Sequence, residues 1–450
     1  MRSLVVVSCL LVASPAVADD RDGDGVDDDA YVLHHPAAAW WLSGQVNLVT
    51  QAQPGFHSPY AGDNSLRSND HVATSFVATV YAAYEITRYT AVMVAGESAG
   101  GGGLSDALGV AGFTNLDVVR NPTLGPTPYL GRAFIDQVIP LSDARAIAPR
   151  QPFGVLRELP TRRLEIRAGK MSTVDTFDIN DIGTDSHRQF LNWAIDNNGA
   201  YDYAADTRGY SLGAVVEYAE PRWAIRFGEF LMPTVANGID YDFKIAHARG
   251  QNLEVEVHDC LAGRPGIIRV LGFLNDAKMG KYDEAIAEYR QGVVDAPDVT
   301  LTRVVGRTKY GFGLNVQQQL AADLRAFARF GWSDGVNESF AYTEVDNTVT
   351  LGGDLRGGAW HRPADQIGLA VVTNGLSTPH RTYLALGGKG FLLGDGTLHY
   401  GREDIVEAYY TAQAYRGVFP AVDVQLIDHP GYNRDRGPVV VFSARLHLEI

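Results

Sequence analysis

Cysteine is almost absent from this 450-residue chain, which contains only Cys9 and Cys260. The first 18 residues have the pattern of a secretory signal peptide, with one Arg, a short apolar run and small residues at positions 16 and 18. Cleavage after Ala18 would remove Cys9 and leave one cysteine in the exported protein. An intramolecular disulfide is therefore excluded.

Long hydrophobic runs and excess positive charge are missing as well. No stretch after the signal peptide is apolar for long enough to form a transmembrane helix. The 38 basic residues are outnumbered by 53 acidic ones, which argues against a nucleic-acid partner, because such a partner requires a basic surface. The chain also has no G-x-S-x-G, P-loop or H-E-x-x-H motif, so no enzyme is predicted.

Glycine and tyrosine are abundant, with 48 and 21 residues, while only 20% of residues are charged. An exported chain that is rich in Gly and Tyr and poor in Cys has a composition typical of outer-membrane proteins. A secreted β-sandwich would have a similar composition, so the pattern along the chain has to separate the two.

Apolar and polar residues alternate with period 2 in several segments, most clearly in the C-terminal "PVVVFSARLHLEI". One face of this segment carries Val440, Phe442, Ala444, Leu446, Leu448 and Ile450. The other face turns polar, with Ser443, Arg445, His447 and Glu449. This pattern predicts a barrel strand between lipid and water, and a soluble sandwich is the alternative. In "RRLEIRAGK" the row Arg163, Glu165 and Arg167 favours a water-filled lumen over a dry core.

Helical spacing is rare. The spacing predicts one helix over Asp283–Val294 and a second short helix over Arg188–Ile195. No linker composition divides the chain, so we expect one barrel domain over residues 37–450, preceded by the signal peptide at 1–18 and an acidic segment at 19–36.

The acidic segment "DDRDGDGVDDDA" contains the only candidate metal site. Its carboxylates are spaced like the oxygen ligands of a calcium loop, with Gly25 at the turn. The predicted ligands are Asp20, Asp22, Asp24 and Asp28. The alternative is a solvated acidic tail, and no other cofactor is predicted.

The region Gly169–Gly213, "GKMSTVDTFDINDIGTDSHRQFLNWAIDNNGAYDYAADTRGYSLG", resembles the signature region of the carbohydrate-selective outer-membrane porins (OprB-type). Further segments resemble the family in the same order along nearly the whole mature chain, among them "LNDAKMGKYDEAI", "LGGDLRGGAWHRPADQIGLA" and "HPGYNRDRGPVVVFSARLH". The resemblance implies an all-β fold, a transmembrane antiparallel up-and-down β-barrel of 16 strands, with 18 strands as the alternative. It also implies inward-folded loops and one or two short loop helices.

The function that the resemblance implies is passive diffusion of monosaccharides and other small sugars across the outer membrane of a Gram-negative bacterium. The implied partners are small sugars, outer-membrane lipid and lipopolysaccharide, and the outer-membrane assembly machinery, with the porin a monomer or a trimer. Family members usually end in Phe, which that machinery recognises, whereas this chain ends in Ile450.

A barrel of this size needs an inward-folded segment to select its solutes, and "NWAIDNNGAYDYAADTRGY" (192–210) is the candidate. Trp193, Tyr201 and Tyr203 offer flat faces for a sugar ring. Asp202, Asp206 and Arg208 offer hydrogen bonds for its hydroxyls, as do the Asn residues at 192, 197 and 198. The alternative is a loop plug whose polar groups satisfy one another. The pore-wall candidates that follow from the alternation are Arg163, Glu165, Arg167, Glu217, Arg226, Arg325 and Arg329.

Two other functions remain open at this point. One is a general diffusion porin without sugar preference, and the other is a secreted or periplasmic carbohydrate-binding protein. Block of the ion current by glucose separates the first from a sugar channel, and cell fractionation separates the second.

Overall fold

The structure, a computed structural model, describes residues 26–27, 29–35, 38–118, 125–261, 263–340 and 344–450. The predicted signal peptide lies outside these residues. Within them, sixteen strands form one closed antiparallel barrel, and two further strands pair only with each other. The predicted 16-stranded barrel is therefore confirmed, and the barrel does not have 18 strands.

The strands alternate in direction around the barrel in chain order. They are β1 Trp40–Gln53, β2 His71–Thr87, β3 Thr90–Gly101, β4 Tyr129–Pro140, β5 Arg145–Ile147, β6 Glu158–Pro160, β7 Arg163–Met171, β8 Ser211–Glu220, β9 Trp223–Leu231, β10 Arg249–Leu261, β11 Arg264–Met279, β12 Val304–Gln319, β13 Leu324–Ser333, β14 Asn347–Gly357, β15 Arg362–Gly375, β16 Glu403–Thr411, β17 Val418–Asp428 and β18 Val439–Glu449. Strands β5 and β6 form the separate two-stranded sheet.

The barrel closes where the first strand meets the last. β1 pairs with β18 from Gln45↔Glu449 to Ala52↔Phe442. The sequence predicts this pairing, because an open strand edge in lipid would leave backbone groups unsatisfied at several kcal/mol each. No helix in the described part of the chain is long and apolar enough to cross a membrane.

The two faces of the strands follow the predicted alternation. In β18 the Leu446 side chain points outward and is 40% exposed, whereas Arg445 points inward and is 4% exposed. Exposed Val, Leu, Ile and Phe side chains recur on the outward face of the other strands, for example Val422 and Leu426 in β17. The outer surface is thus apolar and suited to lipid, and the inner surface is polar.

The barrel has one end with short turns and one with long connections. The short-turn end carries the start of β1, the end of β18 and turns of two to six residues, with one longer connection at 141–162. The other end carries eight connections of ten or more residues, of which 172–210 is the longest. In outer-membrane barrels short turns face the periplasm and long loops face outward, which orients this barrel.

The helices lie in the long connections. They are α1 Trp193–Asp196, α2 Tyr282–Arg290 and α3 Thr378–Ala385, and five single-turn 3-10 helices accompany the strands at Leu104–Ala107, Thr173–Asp175, Val299–Thr302, Gly358–Trp360 and Pro430–Tyr432. The predicted helix over Asp283–Val294 is present but shorter. The helix predicted over Arg188–Ile195 is wrong for most of its length, because the barrel wall binds the backbone groups that such a helix would pair internally.

Helix α3 was not predicted, although Ser377 caps its first turn through a hydrogen bond from the His380 N–H (3.2 Å). Its His380 is fully buried, stacks on Tyr282 of α2 and contacts the Asp346 carboxylate at 3.1 Å. Burial by itself would lower the pKa of His380, but Asp346 and Glu344 raise it to about 9. The resulting imidazolium joins three long connections into a packed outer rim.

Candidate functional site

The connection between β7 and β8, residues 172–210, folds into the barrel and is called here the upper insert. Its main anchor is Arg329 of β13, whose side chain is fully buried. The Arg329 guanidinium donates to the Ile195 carbonyl (2.6 Å) and forms an ion pair with Asp178 (3.2 Å). Because both partners belong to the upper insert, this arginine fixes it to the wall.

Two further wall residues hold the backbone of the upper insert. Glu407 of β16 accepts hydrogen bonds from the N–H groups of Leu191 (2.5 Å) and Asn192 (3.1 Å). Arg445 of β18 donates to the carbonyls of Ser186 (2.7 Å) and Gln189 (2.8 Å). A helix over 188–195 would pair the Leu191 and Asn192 N–H groups and the Gln189 carbonyl internally. Because the wall binds these groups instead, the chain runs as turns until α1 begins.

Three of the sequence-predicted contact residues bind neighbouring parts of the protein and hold the upper insert in place. The Tyr201 hydroxyl donates to Asn252 of β10 (2.7 Å), and its ring packs against Phe273 of β11. Asp202 forms an ion pair with Lys309 of β12 (3.0 Å). Tyr201 and Asp202 therefore tie the insert to β10–β12, and neither lines the large cavity described below.

The third of these residues, Asp206, organises the end of the upper insert. Its carboxylate accepts hydrogen bonds from the N–H groups of Arg208 (2.9 Å) and Tyr210 (3.1 Å) and from the Tyr241 hydroxyl (2.8 Å). Burial raises the pKa of Asp206 despite these hydrogen bonds. The arrangement fixes the turn that places Arg208 and Tyr210.

A cavity of about 580 Å³ lies between the other side of the upper insert and the wall formed by β1–β4. The predicted residues Trp193, Tyr203 and Arg208 line it. Five further aromatic residues of its lining were not singled out from the sequence, namely Tyr31, Tyr81, Tyr129, Phe153 and Tyr210. The cavity thus combines several flat apolar faces with charged groups.

The charged groups beside these rings already have partners. Arg132 of β4 forms a two-pronged pair with Asp175, with both N–O distances 2.7 Å, and lies 4.9 Å from the Tyr210 ring centroid. The Arg208 guanidinium lies 3.7 Å from the centroid of Tyr129. A solute therefore meets a surface whose side chains are held in place before it arrives.

His187 adds a positive charge to the same cavity. Its Nε2 lies 3.4 Å from the Asp117 carboxylate, and its ring stacks on His447 at 5.1 Å. Burial by itself would lower the pKa of His187, but Asp117 raises it to about 9. His187 is consequently protonated at neutral pH.

The predicted wall charges other than Arg329 face the lumen in the short-turn half of the barrel. Glu165 lies between Arg163 (2.9 Å) and Arg167 (2.8 Å), and Arg167 also contacts Asp136 (3.2 Å). Arg226 contacts three carboxylates, those of Glu217 (2.7 Å), Glu254 (2.5 Å) and Glu256 (3.0 Å). These residues do not line the 580 Å³ cavity but form a wall of compensated charges next to it.

Replacing Arg167 with Ala should make the channel favour cations over anions. The change leaves Glu165 and Asp136 with less positive charge nearby, so the local potential becomes more negative. We expect the cation-to-anion permeability ratio to rise roughly twofold, measured as the reversal potential in a salt gradient. Arg222→Ala is the control, because Arg222 lies exposed at a turn. An unchanged ratio in Arg167→Ala would place this residue outside the narrow section.

Other segments that were not predicted from the sequence also reach the cavity, among them the connection between β3 and β4 with Leu116 and Val118. Gln151, Pro152 and Phe153, from the long connection at the short-turn end, line it, as does Tyr31 from the segment before β1. The stretch "QPFG" (151–154) has the composition of a tight turn, and this signal was available in the sequence. The sequence did not show that a turn in this position folds into the barrel.

The predicted calcium ligands Asp20, Asp22, Asp24 and Asp28 lie outside the described residues, and the calcium site stays a prediction. Among the residues that the structure does describe, no group of three or more His, Cys, Asp and Glu side chains is arranged to hold a metal ion.

Comparison with known proteins gives one family and several structural neighbours. Residues 63–449 match the family described as carbohydrate-selective porin, OprB family. The high-pH structure of Pseudomonas putida OprB is 16% identical, with a TM-score of 0.70 over 92% of this chain and 94% of that chain. The low-pH structure of the same protein is 12% identical, with a TM-score of 0.47 over 92% and 93%. The outer-membrane channel DcaP of Acinetobacter baumannii is 9% identical, with a TM-score of 0.47 over 91% and 97%. No curated protein matches the sequence.

Proposed function

The chain belongs to the carbohydrate-selective porin (OprB) family, and from this membership we propose where in the barrel its sugars are selected. As a porin of this family it is an outer-membrane channel through which sugars diffuse, and it is not an enzyme. Our proposal is that monosaccharides and other small sugars pass through the 580 Å³ cavity beside the upper insert.

The observation that carries the proposal is the mixed lining of this cavity. Its volume falls within the range of small-molecule pockets, about 300–1,000 Å³. Trp193 and Tyr203 border the cavity with aromatic rings that are 3% and 5% exposed, and such rings suit the C–H faces of a sugar ring. Arg208 and Arg132 present donors, and Glu97 presents an acceptor, for its hydroxyls.

The same lining explains why the sugar is released. A channel has to bind its solute well enough to admit it and weakly enough to let it leave. Because the charged groups are already paired, as Arg132 is with Asp175, a sugar can make only supplementary hydrogen bonds to them. Weak and replaceable contacts of this kind favour transport over retention.

We also propose roles for the predicted residues outside the cavity. Tyr201, Asp202 and Asp206 hold the upper insert in place and act on sugar only through its position. Arg163, Glu165, Arg167 and Arg226 set the potential of the lumen below the insert. The outward apolar face would contact outer-membrane lipid and lipopolysaccharide, and the C-terminal strand would be the part that the assembly machinery recognises.

Glucose should reduce the ion current of the purified channel in planar bilayers, and Trp193→Ala/Tyr203→Ala should weaken this block. Each aromatic contact contributes about 0.5–1.5 kcal/mol beyond its buried area. Losing two of them should therefore raise the half-blocking glucose concentration on the order of tenfold. Conductance should rise in the same variant, because two rings that fill the lumen are removed.

Tyr201→Phe is the matched control for this experiment. It removes only the hydroxyl that binds Asn252 on the wall side of the insert, so its conductance and glucose block should equal those of the wild type. A wild-type current that no sugar reduces would contradict the proposal and favour a general diffusion porin.

A further inference from the structure

The connection between β4 and β7, residues 141–162, is exceptional for its end of the barrel and is called here the lower insert. Other described turns at this end have two to six residues, whereas the lower insert has 22 and contains β5 and β6. Short turns are the rule at the periplasmic end of outer-membrane barrels. A connection of 22 residues is far longer than is needed to join two neighbouring strands.

The tip of the lower insert is a tight turn. Gln151 and Gly154 bond each other reciprocally, from Gln151 N to Gly154 O (3.2 Å) and from Gly154 N to Gln151 O (3.0 Å). Pro152 occupies the second position of this turn, where its fixed φ is favoured. Phe153 occupies the third position, at the point of the insert that lines the cavity.

The tip is fixed in the lumen from both sides. Before it, Arg150 donates to the carbonyl of Ala38 (2.6 Å) and lies 5.6 Å from the Trp41 ring centroid. After it, Val155 and Leu156 are buried in one apolar cluster with residues of β2–β4 such as Phe134. Burial of these two side chains stabilises an insert that folds upward into the barrel over one that extends into the periplasm.

Phe153 connects the lower insert to the upper one. Its ring meets Tyr81 of β2 edge to face at 5.4 Å and lies 4.6 Å from the Arg132 guanidinium. Arg132 in turn holds Asp175 of the upper insert with two bonds of 2.7 Å. The two inserts thus approach the same cavity from opposite ends of the barrel and share one arginine.

We propose that Phe153 is a sugar-contacting residue supplied by the lower insert, and that the narrow section of the channel lies between the two inserts. This inference rests on the proposed function, since it assigns a further residue to the same passage. A sugar that leaves the cavity toward the periplasm passes the turn at 151–154. There an aromatic ring offers the same kind of apolar face as Trp193 and Tyr203.

The test compares Phe153→Ala with Phe153→Leu in purified channels. The Ala variant should raise both the conductance and the half-blocking glucose concentration, the latter about three- to tenfold. The Leu variant keeps most of the bulk but has no ring face, so its conductance should stay near the wild-type value while glucose block weakens. Ile147→Ala is the control, because Ile147 is 62% exposed on β5 of the same insert.

The two variants also separate the ways in which the inference could fail. Unchanged conductance and block in Phe153→Ala would remove the lower insert from the passage. Wild-type block in Phe153→Leu would leave steric narrowing as the only role of the residue and overturn the sugar contact. If no sugar blocks the wild-type current, the proposed function fails instead, and the sugar contact fails with it. The conductance of Phe153→Ala would still decide whether the insert narrows the channel.

Discussion

Replacing Arg329 with Met should open the channel severalfold without preventing barrel formation. Arg329 is the buried cation that joins β13 to Asp178 and to the Ile195 carbonyl of the upper insert. Removing one partner of a buried ion pair costs about 3–5 kcal/mol. Asp178 would stay buried with only neutral donors, those of Asn315 and Asn198. The Asp178 carboxylate can regain hydration if the insert detaches, which would widen the lumen.

The barrel itself should tolerate this change, since its closure depends on backbone hydrogen bonds between neighbouring strands rather than on the insert. Met approximates the length of the Arg stem and leaves no void large enough to collapse the wall. The measurements are heat modifiability on gels for folding, single-channel conductance, and glucose block. We expect a heat-modifiable protein with high conductance and little block.

Arg325→Met is the matched control, because Arg325 lies on the same strand but pairs with Asp354 on the adjacent strand (2.9 Å) and not with the insert. Its conductance should remain close to that of the wild type. Equal conductance in the two variants would show that Arg329 does not hold the insert in its narrowing position.

Substitutions at the two faces of β18 should differ strongly in their effect on barrel assembly. Leu446→Arg should lower the yield of folded, heat-modifiable protein much more than Arg445→Leu. Leu446 points to lipid between Leu48 of β1 and Pro420 of β17. A charge on this face costs roughly 2–4 kcal/mol at the midplane and less toward the interface. The measurement is the folded fraction after refolding into lipid vesicles.

Arg445→Leu should assemble but conduct differently from the wild type. Arg445 faces the lumen, and its loss leaves the Ser186 and Gln189 carbonyls of the upper insert without their donor. The two adjacent substitutions therefore distinguish an assembly defect on the lipid-facing side from a conductance change on the lumen-facing side. Equal folded yields from both variants would refute the assignment of the two faces.

The barrel could be predicted because lipid outside and water inside impose the same two-residue period on every strand. This period places Arg445 inside and Leu446 outside before any tertiary contact is considered. The upper insert has no such period, so residue types alone could not show which of its side chains face the passage and which face the wall. Trp193, Tyr201 and Tyr203 look equivalent in the sequence, yet two line the cavity and Tyr201 packs on β10 and β11.

By itself, the sequence determined the strand alternation and the family, since each depends on local order along the chain. The tertiary structure decided which polar groups hold the insert and which face the passage. Arg329 and Arg132 both pair with a carboxylate of the upper insert, but only Arg132 also lines the cavity. The tertiary structure also decided that residues 141–162 fold upward, because the apolar surface that buries Val155 and Leu156 exists only after β2–β4 are assembled.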